Sequence, residues 1–330
     1  MTAAPAPSHE AGPPDRRWLA ITLGDPRGIG PEVAVAALHA LSTLPDRPNF
    51  LLIGPAGTGA QSAADRFLET GTWRPDGDAC LAGRVAGRAI EEAARLALAG
   101  EVDAIVTGPI DKGALFAAGY PFPGHTEMLA ALSDTADVSM MMSAESTALG
   151  GPLRVVLATT HVPLAEVPHR FTEELLVRQT RVVDRALRSG WSITRPRIAL
   201  CAFNPHASDG GRFGHEEATV YGPAMAALSA EGIDVRGPLP ADTVFLRAAR
   251  GEFDVVVAPY HDVGMAAFKT AAFGQGVNVT LGLPFVRTSP DHGTALDIAG
   301  RGMADARSMI EAILLAHRLA GRPREPAYQG

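Results

Sequence analysis

The sequence predicts an α/β protein whose mostly parallel sheet is covered by helices on both faces. Three observations carry this. Short apolar runs of strand character recur along the chain, segments of helical spacing alternate with them, and the polar motifs follow strand ends. In such sheets ligands sit beyond the carboxyl ends of strands, so the same pattern says where to look for chemistry.

Residues 1–16 are rich in Pro, Ala and Ser and read as a disordered tail. Trp18–Leu23 (WLAITL) is a buried strand. The turn GDPRGIGPE follows it, with Pro31 suited to the first position of a helix over Pro31–Leu41. Asn49–Ile53 is a second strand, and a helix is expected near Ala60–Leu68, then a loose stretch to Ala79. Val85–Ala99 has helical spacing and stops at Gly100. Val102–Val106 is a buried strand leading into a TGP turn. Further strands are expected at Met140–Met142, Arg154–Ala158, Arg197–Ala202 and Val255–Ala258. Helices alternate with them near Thr172–Ser189, Glu216–Ala230 and Ala304–Leu319. Pro259–Gly302 concentrates His261, Lys269, Asn278, Arg287, His292 and Arg301 among glycines and prolines, a composition expected to keep it out of long helices.

Composition narrows the function. The chain has 330 residues, a net charge of −7 and two cysteines, Cys80 and Cys201, without C-x-x-C spacing. An acidic balance without a basic run argues against nucleic acid, and the cysteine usage fits a reducing cytoplasm. No apolar run reaches the roughly eighteen residues of a membrane span, and no signal pattern opens the chain. The expectation is a cytoplasmic protein without membrane or nucleic-acid partners.

Three histidines terminate apolar strands: His161 in VVLATTH, His206 in IALCAFNPH and His261 in VVVAPYH. Strand ends converge on one rim of a parallel sheet, so three imidazoles could hold a catalytic divalent metal, with Asp262 or Asp209 supporting a ring N–H. The alternative is three unrelated loop histidines. His9, His39, His169, His215 and His317 read as surface or tail residues. Gly124-His125-Thr126-Glu127 precedes a helix, where Thr126 would cap and the exposed N–H groups beside His125 suit a phosphate. Lys269, Asn278 and Arg287 add donors, the Arg287 fork matching phosphate or carboxylate. A plain helix cap and solvated surface charges are the bland alternatives. GDPRGIGPE has neither the G-x-G-x-x-G nor the Walker spacing.

Taken together, GDPRGIGPE, TGPIDKG, GHTE, TTHVPL, NPHASDGG, GPLPADT, YHD-x-G and NVTLGLPFVRTSPDHGTALDIAGRG resemble, in order, the 4-hydroxythreonine-4-phosphate dehydrogenases of vitamin B6 (pyridoxine) synthesis and their paralogues, over about Leu19–Leu319. GIGPE and HGTALDIAG are more remotely similar to isocitrate and isopropylmalate dehydrogenases. The resemblance implies a two-domain α/β oxidoreductase with residues 17–110 plus 265–330 on the cofactor side and 111–264 forming the metal and dimerisation domain. It implies a homodimer with a shared active site in the interdomain cleft, His161, His206 and His261 binding the divalent metal, one of them from across the interface. It assigns His125, Thr126, Lys269, Asn278 and Arg287 to a phosphorylated substrate. The metal (Zn, Mg, Co or Mn) is left open, imidazole leaning towards zinc.

In the remoter relatives the loop spelled here His292-Gly293-Thr294-Ala295-Leu296-Asp297-Ile298-Ala299-Gly300 holds the adenosine end of the cofactor. A carboxylate at Asp297 accepts from a ribose 2′-OH and repels a 2′-phosphate, which favours NAD. The implied reaction is NAD- and metal-dependent oxidation, with decarboxylation, of a phosphorylated β-hydroxy acid such as 4-phosphooxy-L-threonine. Lys112 and Asp242 are the candidates for proton transfer. The chain departs from the family pattern at Val263–Phe268 (usually QGLPVL), at Arg27 (usually a small residue) and in a short Ile53–Val85 segment. These departures keep open a paralogue acting on 4-phosphothreonate, 4-phosphoerythronate or a carboxylated cyclic diol, or binding a metabolite without catalysis.

Overall fold

Eleven strands form one mixed sheet in the computed structural model, which describes residues 17–321; the expected tail at 1–16 lies outside the described residues. The strands are β1 Trp18–Thr22, β2 Asn49–Ala56, β3 Arg66–Thr72, β4 Ala104–Thr107, β5 Ser139–Ala144, β6 Leu153–Leu157, β7 Ile198–Cys201, β8 Val235–Leu239, β9 Val255–Ala258, β10 Val277–Leu281 and β11 Val286–Pro290. The helices are α1 Gly30–Leu41, α2 Ala79–Leu98, α3 Lys112–Ala117, α4 His125–Leu132, α5 Val167–Arg170, α6 Glu173–Trp191, α7 Gly222–Ala230, α8 Ala241–Ala249, α9 His261–Ala272 and α10 Arg307–Ala320.

The strand order is β3-β2-β1-β4-β11-β10-β5-β6-β9-β7-β8. Two parallel wings, β3-β2-β1-β4-β11 and β6-β9-β7-β8, are joined through β10 and β5, which pair antiparallel with each other and with their outer neighbours. The central strands β1, β4, β6, β7 and β9 are almost wholly apolar and buried on both faces, as parallel strands under helices must be. Helices cover both faces: α1, α6, α7 and α10 pack in one large apolar cluster, and α2 and α4 in another on the first wing. Local signals set the helix ends. Asp78 caps α2 by accepting from the Leu81 N–H, Thr172 caps α6 by accepting from Leu175, and α6 stops where Ser192 turns left-handed.

Three expectations are corrected. The helix expected near Ala60–Leu68 is a short 3₁₀ turn at Gln61–Ala63 followed by the edge strand β3. Apolar residues at Ala63, Ala64, Phe67 and Leu68 imitate helical spacing, but pairing with β2 decides the outcome. Pro259–Gly302 does contain a helix of twelve residues, α9, and two strands. Its Gly264 is there for close packing, since a Cβ would stand 2.5 Å from the Leu157 side chain. Finally, α4 starts at His125 with Gly124 as its cap residue, so Thr126 lies inside the first turn and makes no capping bond.

Candidate functional site

A cleft of about 480 Å³ opens over the middle of the sheet, lined from β4, β11, β10, β5 and β6, where the two wings meet. Into it the fold brings Lys112, His125, Thr126, His161, Lys269, Asn278, Arg287, His292 and Gly293. These nine residues come from segments scattered over most of the chain. Most are placed by a strand end, a helix start or a strand interior; Lys269 comes from the last turn of α9.

Arg287 sits inside β11 and is 3% exposed. Its fork donates to Thr280 Oγ1 (2.9 Å) and Thr107 Oγ1 (2.6 Å), and among the described residues no carboxylate pairs with it. Burial pushes its pKa down to about 10, with Glu127 opposing, so it stays charged at neutral pH. His125 is held well below the ordinary histidine value by burial, then by Arg287 and Lys112. It is therefore a neutral ring beside cations. Lys269 stands 3.4 Å from Asp291 Oδ2. The buried atoms Ser139 Oγ, His125 Nε2, Asn278 Oδ1, Arg287 Nε and His292 Nε2 all belong to lining residues and have no hydrogen-bond partner among the described residues. Buried polar atoms are nearly always satisfied, so a cluster without partners in one cleft marks a seat for a polar ligand.

The strand-end histidines are ordered as expected in one respect: β6, β9 and β7 are adjacent and parallel, so His161, His261 and His206 follow neighbouring strands at one rim. His161 and His261 meet, their ring centroids 5.6 Å apart. His261 Nδ1 lies 2.7 Å from Asp262 Oδ1, which orients that ring and leaves Nε2 for a ligand. His161 is lowered by burial, then by Lys112 and His261, which favours the neutral ligating form. His206 is exposed and does not join them; among the described residues no three His, Cys, Asp or Glu side chains converge on a metal-sized site.

His161 (φ 49°) and His206 (φ 52°) are both left-handed, and Ala207, Ser208 and Asp209 continue the run. A non-glycine residue there costs about 1 kcal/mol or more, so surrounding structure must hold it. Glu217 does so for His206: its carboxylate accepts from the Phe203 and Asn204 N–H groups (3.0 and 2.7 Å) and from Asn204 Nδ2 (2.8 Å).

The loop from His292 to Gly300 runs from the cleft to a second cavity of about 900 Å³, whose lining includes Ala299, Gly300, Arg27, Trp73 and His39. Thr294 carbonyl accepts from the Ile29 N–H (2.9 Å), and Gly28 lies so close that a Cβ would stand 2.5 Å from that oxygen. Thr294 and Asp297 line neither cavity, and Asp297 is exposed. Asp242 lies in the first turn of α8, exposed and outside the cleft. Sequence reasoning passed over Gln179, Ser139 and Asp291 as lining residues. Asp291 is itself the first residue of the sequence DHGT, beside His292, and was within reach; Gln179 sits in the amphipathic α6 and gave no signal. Of the histidines read as surface, His39 lines the second cavity and His317 is half-buried with its pKa lowered by burial.

Comparison with known proteins gives the family. The family model for "Pyridoxal phosphate biosynthetic protein PdxA" matches residues 64–316. The 4-hydroxythreonine-4-phosphate dehydrogenase of Methylorubrum extorquens is 42% identical over 354 residues, covering 94% of this chain and 97% of that protein. The crystal structure of 4-hydroxythreonine-4-phosphate dehydrogenase from Klebsiella pneumoniae superposes with a TM-score of 0.82 at 39% identity, covering 92% of this chain and 99% of that one. A terephthalate 1,2-cis-dihydrodiol dehydrogenase from Burkholderia xenovorans gives 0.65 at 29%, covering 91% and 98%. Isocitrate dehydrogenase from Methylococcus capsulatus, at 18% identity and 0.50 over 92% and 86%, shares the fold alone. The chain therefore belongs to the family of the pyridoxal phosphate biosynthetic protein PdxA.

Proposed function

We propose that the chain is a cytoplasmic NAD-dependent dehydrogenase that oxidises and decarboxylates a phosphorylated β-hydroxy acid, 4-phosphooxy-L-threonine or a near analogue. The observation that carries this is the cleft itself: His125, Thr126, Lys269, Asn278 and Arg287, from four elements that include the first turn of α4, line one cavity with several of their polar atoms unpartnered. Dehydrogenase naming among the relatives supports an oxidoreductase. A likeness to a dihydrodiol dehydrogenase offers a second substrate class; a carboxylate would occupy the Arg287 fork alone, whereas the wider donor set of His125, Thr126, Lys269 and Asn278 in the same cleft suits the more numerous oxygens of a phosphate.

Lys269 and the Arg287 fork would grip the phosphate while neutral His125 and the α4 N–H groups complete its shell. Fixing the phosphate orients the reacting carbon. His161 and His261 would hold a divalent metal, zinc or one of Mg, Co and Mn, with His206 supplied by a second copy in a homodimer. When bound, the metal would polarise the substrate hydroxyl and NAD would take up its hydride. Lys112, which lines the cleft with His125 and His161, would move the hydroxyl proton; Asp242, outside the cleft, is not given that role. The loop from His292 to Gly300 would carry the dinucleotide from the cleft to the second cavity, where Trp73 and His39 offer rings for a base. Asp297, which lies exposed on that loop and lines neither cavity, would favour the free ribose of NAD over a 2′-phosphate. The two sides of the cleft are assigned to the two domains expected from the sequence.

Subunit mixing tests the shared site. His206→Ala and His161→Ala should each be inactive alone, and co-refolded mixtures should regain part of the wild-type rate. Inactive mixtures, with each variant folded, would refute a ligand set drawn from two copies.

A further inference from the structure

We propose that Arg27, through one guanidinium shared between two carboxylates, is a positioning residue for Lys112. The inference rests on the reading of Lys112 as a group of the cleft, and extends it to a residue outside that cleft.

Arg27 lies in the turn after β1. Its Nε and Nη2 bond Asp25 Oδ1 and Oδ2 at 3.0 and 2.7 Å, and its backbone N–H also donates to Oδ1 at 2.9 Å. Asp25 is 1% exposed, and its own N–H is tied to the Pro109 carbonyl at 2.9 Å. The guanidinium is thus fixed from below. From there Nη2 reaches Asp111 Oδ1 at 3.7 Å. Asp111 is the cap residue of α3, accepting from the Ala114 N–H at 2.6 Å, and Lys112 is the first residue of that helix.

A six-residue helix has little stability of its own and takes its position from what holds its ends. Surface ion pairs usually contribute little because two side chains must be frozen to make them. Here one partner is already frozen by Asp25, so that cost falls away. Asp25, Asp111 and Asp78 all raise the Arg27 pKa, the Asp25 hydrogen bond most, which places the cation in the field of both segments. Lys112 in turn faces the cleft, lining it together with His125 and His161. Arg27 also lines the second cavity, while Lys112 lines the first. The chain Asp25–Arg27–Asp111–Lys112 therefore links the wall of one cavity to a cation of the other.

The test is hydrogen exchange on the full-length protein, read peptide by peptide, with Arg27→Lys, Arg27→Ala and Asp111→Asn. Asparagine caps as well as aspartate, so Asp111→Asn keeps the cap and removes only the charge. In Arg27→Ala and Asp111→Asn, amides of 112–117 should exchange about tenfold faster, while those of β1 and β4 stay within about twofold. Arg27→Lys should fall between. Unchanged exchange over 112–117 in Asp111→Asn would overturn the proposal, whether or not the enzyme reading holds. Turnover gives a second arm. Arg27→Ala should lower kcat about tenfold with little change in the substrate KM, and the double variant Arg27→Ala/Lys112→Ala should be no slower than Lys112→Ala alone. Losses that multiply would also overturn it. A fully active Lys112→Ala would sink the role given to Lys112 while the exchange result still decides what Arg27 holds.

Discussion

Replacing Arg287 by Met separates stability from binding at this site. The guanidinium is buried with two threonine hydroxyls for company and no counter-charge. Its displacement from 12.5 to about 10 corresponds to about 3 kcal/mol of disfavoured charge, at about 1.4 kcal/mol for each pH unit. Methionine removes that cost and fills most of the volume. It also strands the hydroxyls of Thr280 and Thr107, which returns about 1 kcal/mol each. The ligand-free variant should therefore be as stable as the wild type or about 1 kcal/mol more stable. Phosphate binding should fall by about 100-fold or more, because two charge-assisted bonds contribute about 1.5–3 kcal/mol each. Chemical denaturation of the ligand-free protein and calorimetric titration with inorganic phosphate measure the two quantities. A variant destabilised by more than about 2 kcal/mol that still binds phosphate normally would mean that Arg287 serves the core and not a ligand.

Three further outcomes are expected. Gly28→Ala drives a Cβ against the Thr294 carbonyl and should raise the KM for NAD several-fold while leaving inorganic phosphate affinity unchanged; equal loss of both would place the loop's role elsewhere. Glu217→Ala strands the Phe203 and Asn204 N–H donors, while Asn204 Nδ2 keeps its bond to Glu216, and should cost about 2–4 kcal/mol by denaturation, with metal affinity falling alongside as the His206 turn relaxes. For pH, His125 has a folded pKa below its unfolded value near 6.5, so its contribution is complete above about 6.5 and is lost as pH falls towards the folded value, at up to about 1.4 kcal/mol per pH unit. His125→Asn should flatten the stability profile between about pH 6.5 and 5, and an unaltered slope would contradict a neutral buried ring.

Strands buried on both faces were legible because continuous apolar runs such as VVVA and AIVT admit few other structures, and the polar motifs at their ends marked the rim. The meeting of His161 with His261 followed from that rule. The antiparallel seam at β10 and β5 was not legible, since it depends on pairing between segments far apart in the chain. That seam creates the cleft and brings Ser139 and Gln179 into it. β3 was missed because four apolar residues fell at helical spacing by chance, and α9 because Gly264 reads as a loop residue when its purpose is close packing on β6. His206, left-handed and exposed on its loop, stands apart from the other two, which the strand-end rule did not foresee.

The most direct measurement is NADH formation by the purified, metal-loaded protein with 4-phosphooxy-L-threonine, its 4-phosphothreonate and 4-phosphoerythronate analogues, and a carboxylated cyclic dihydrodiol. The cleft described above calls for turnover of a phosphorylated β-hydroxy acid, loss of that turnover on chelation, and none with the diol. Turnover of the diol alone, or NAD reduction indifferent to the phosphate, would contradict it.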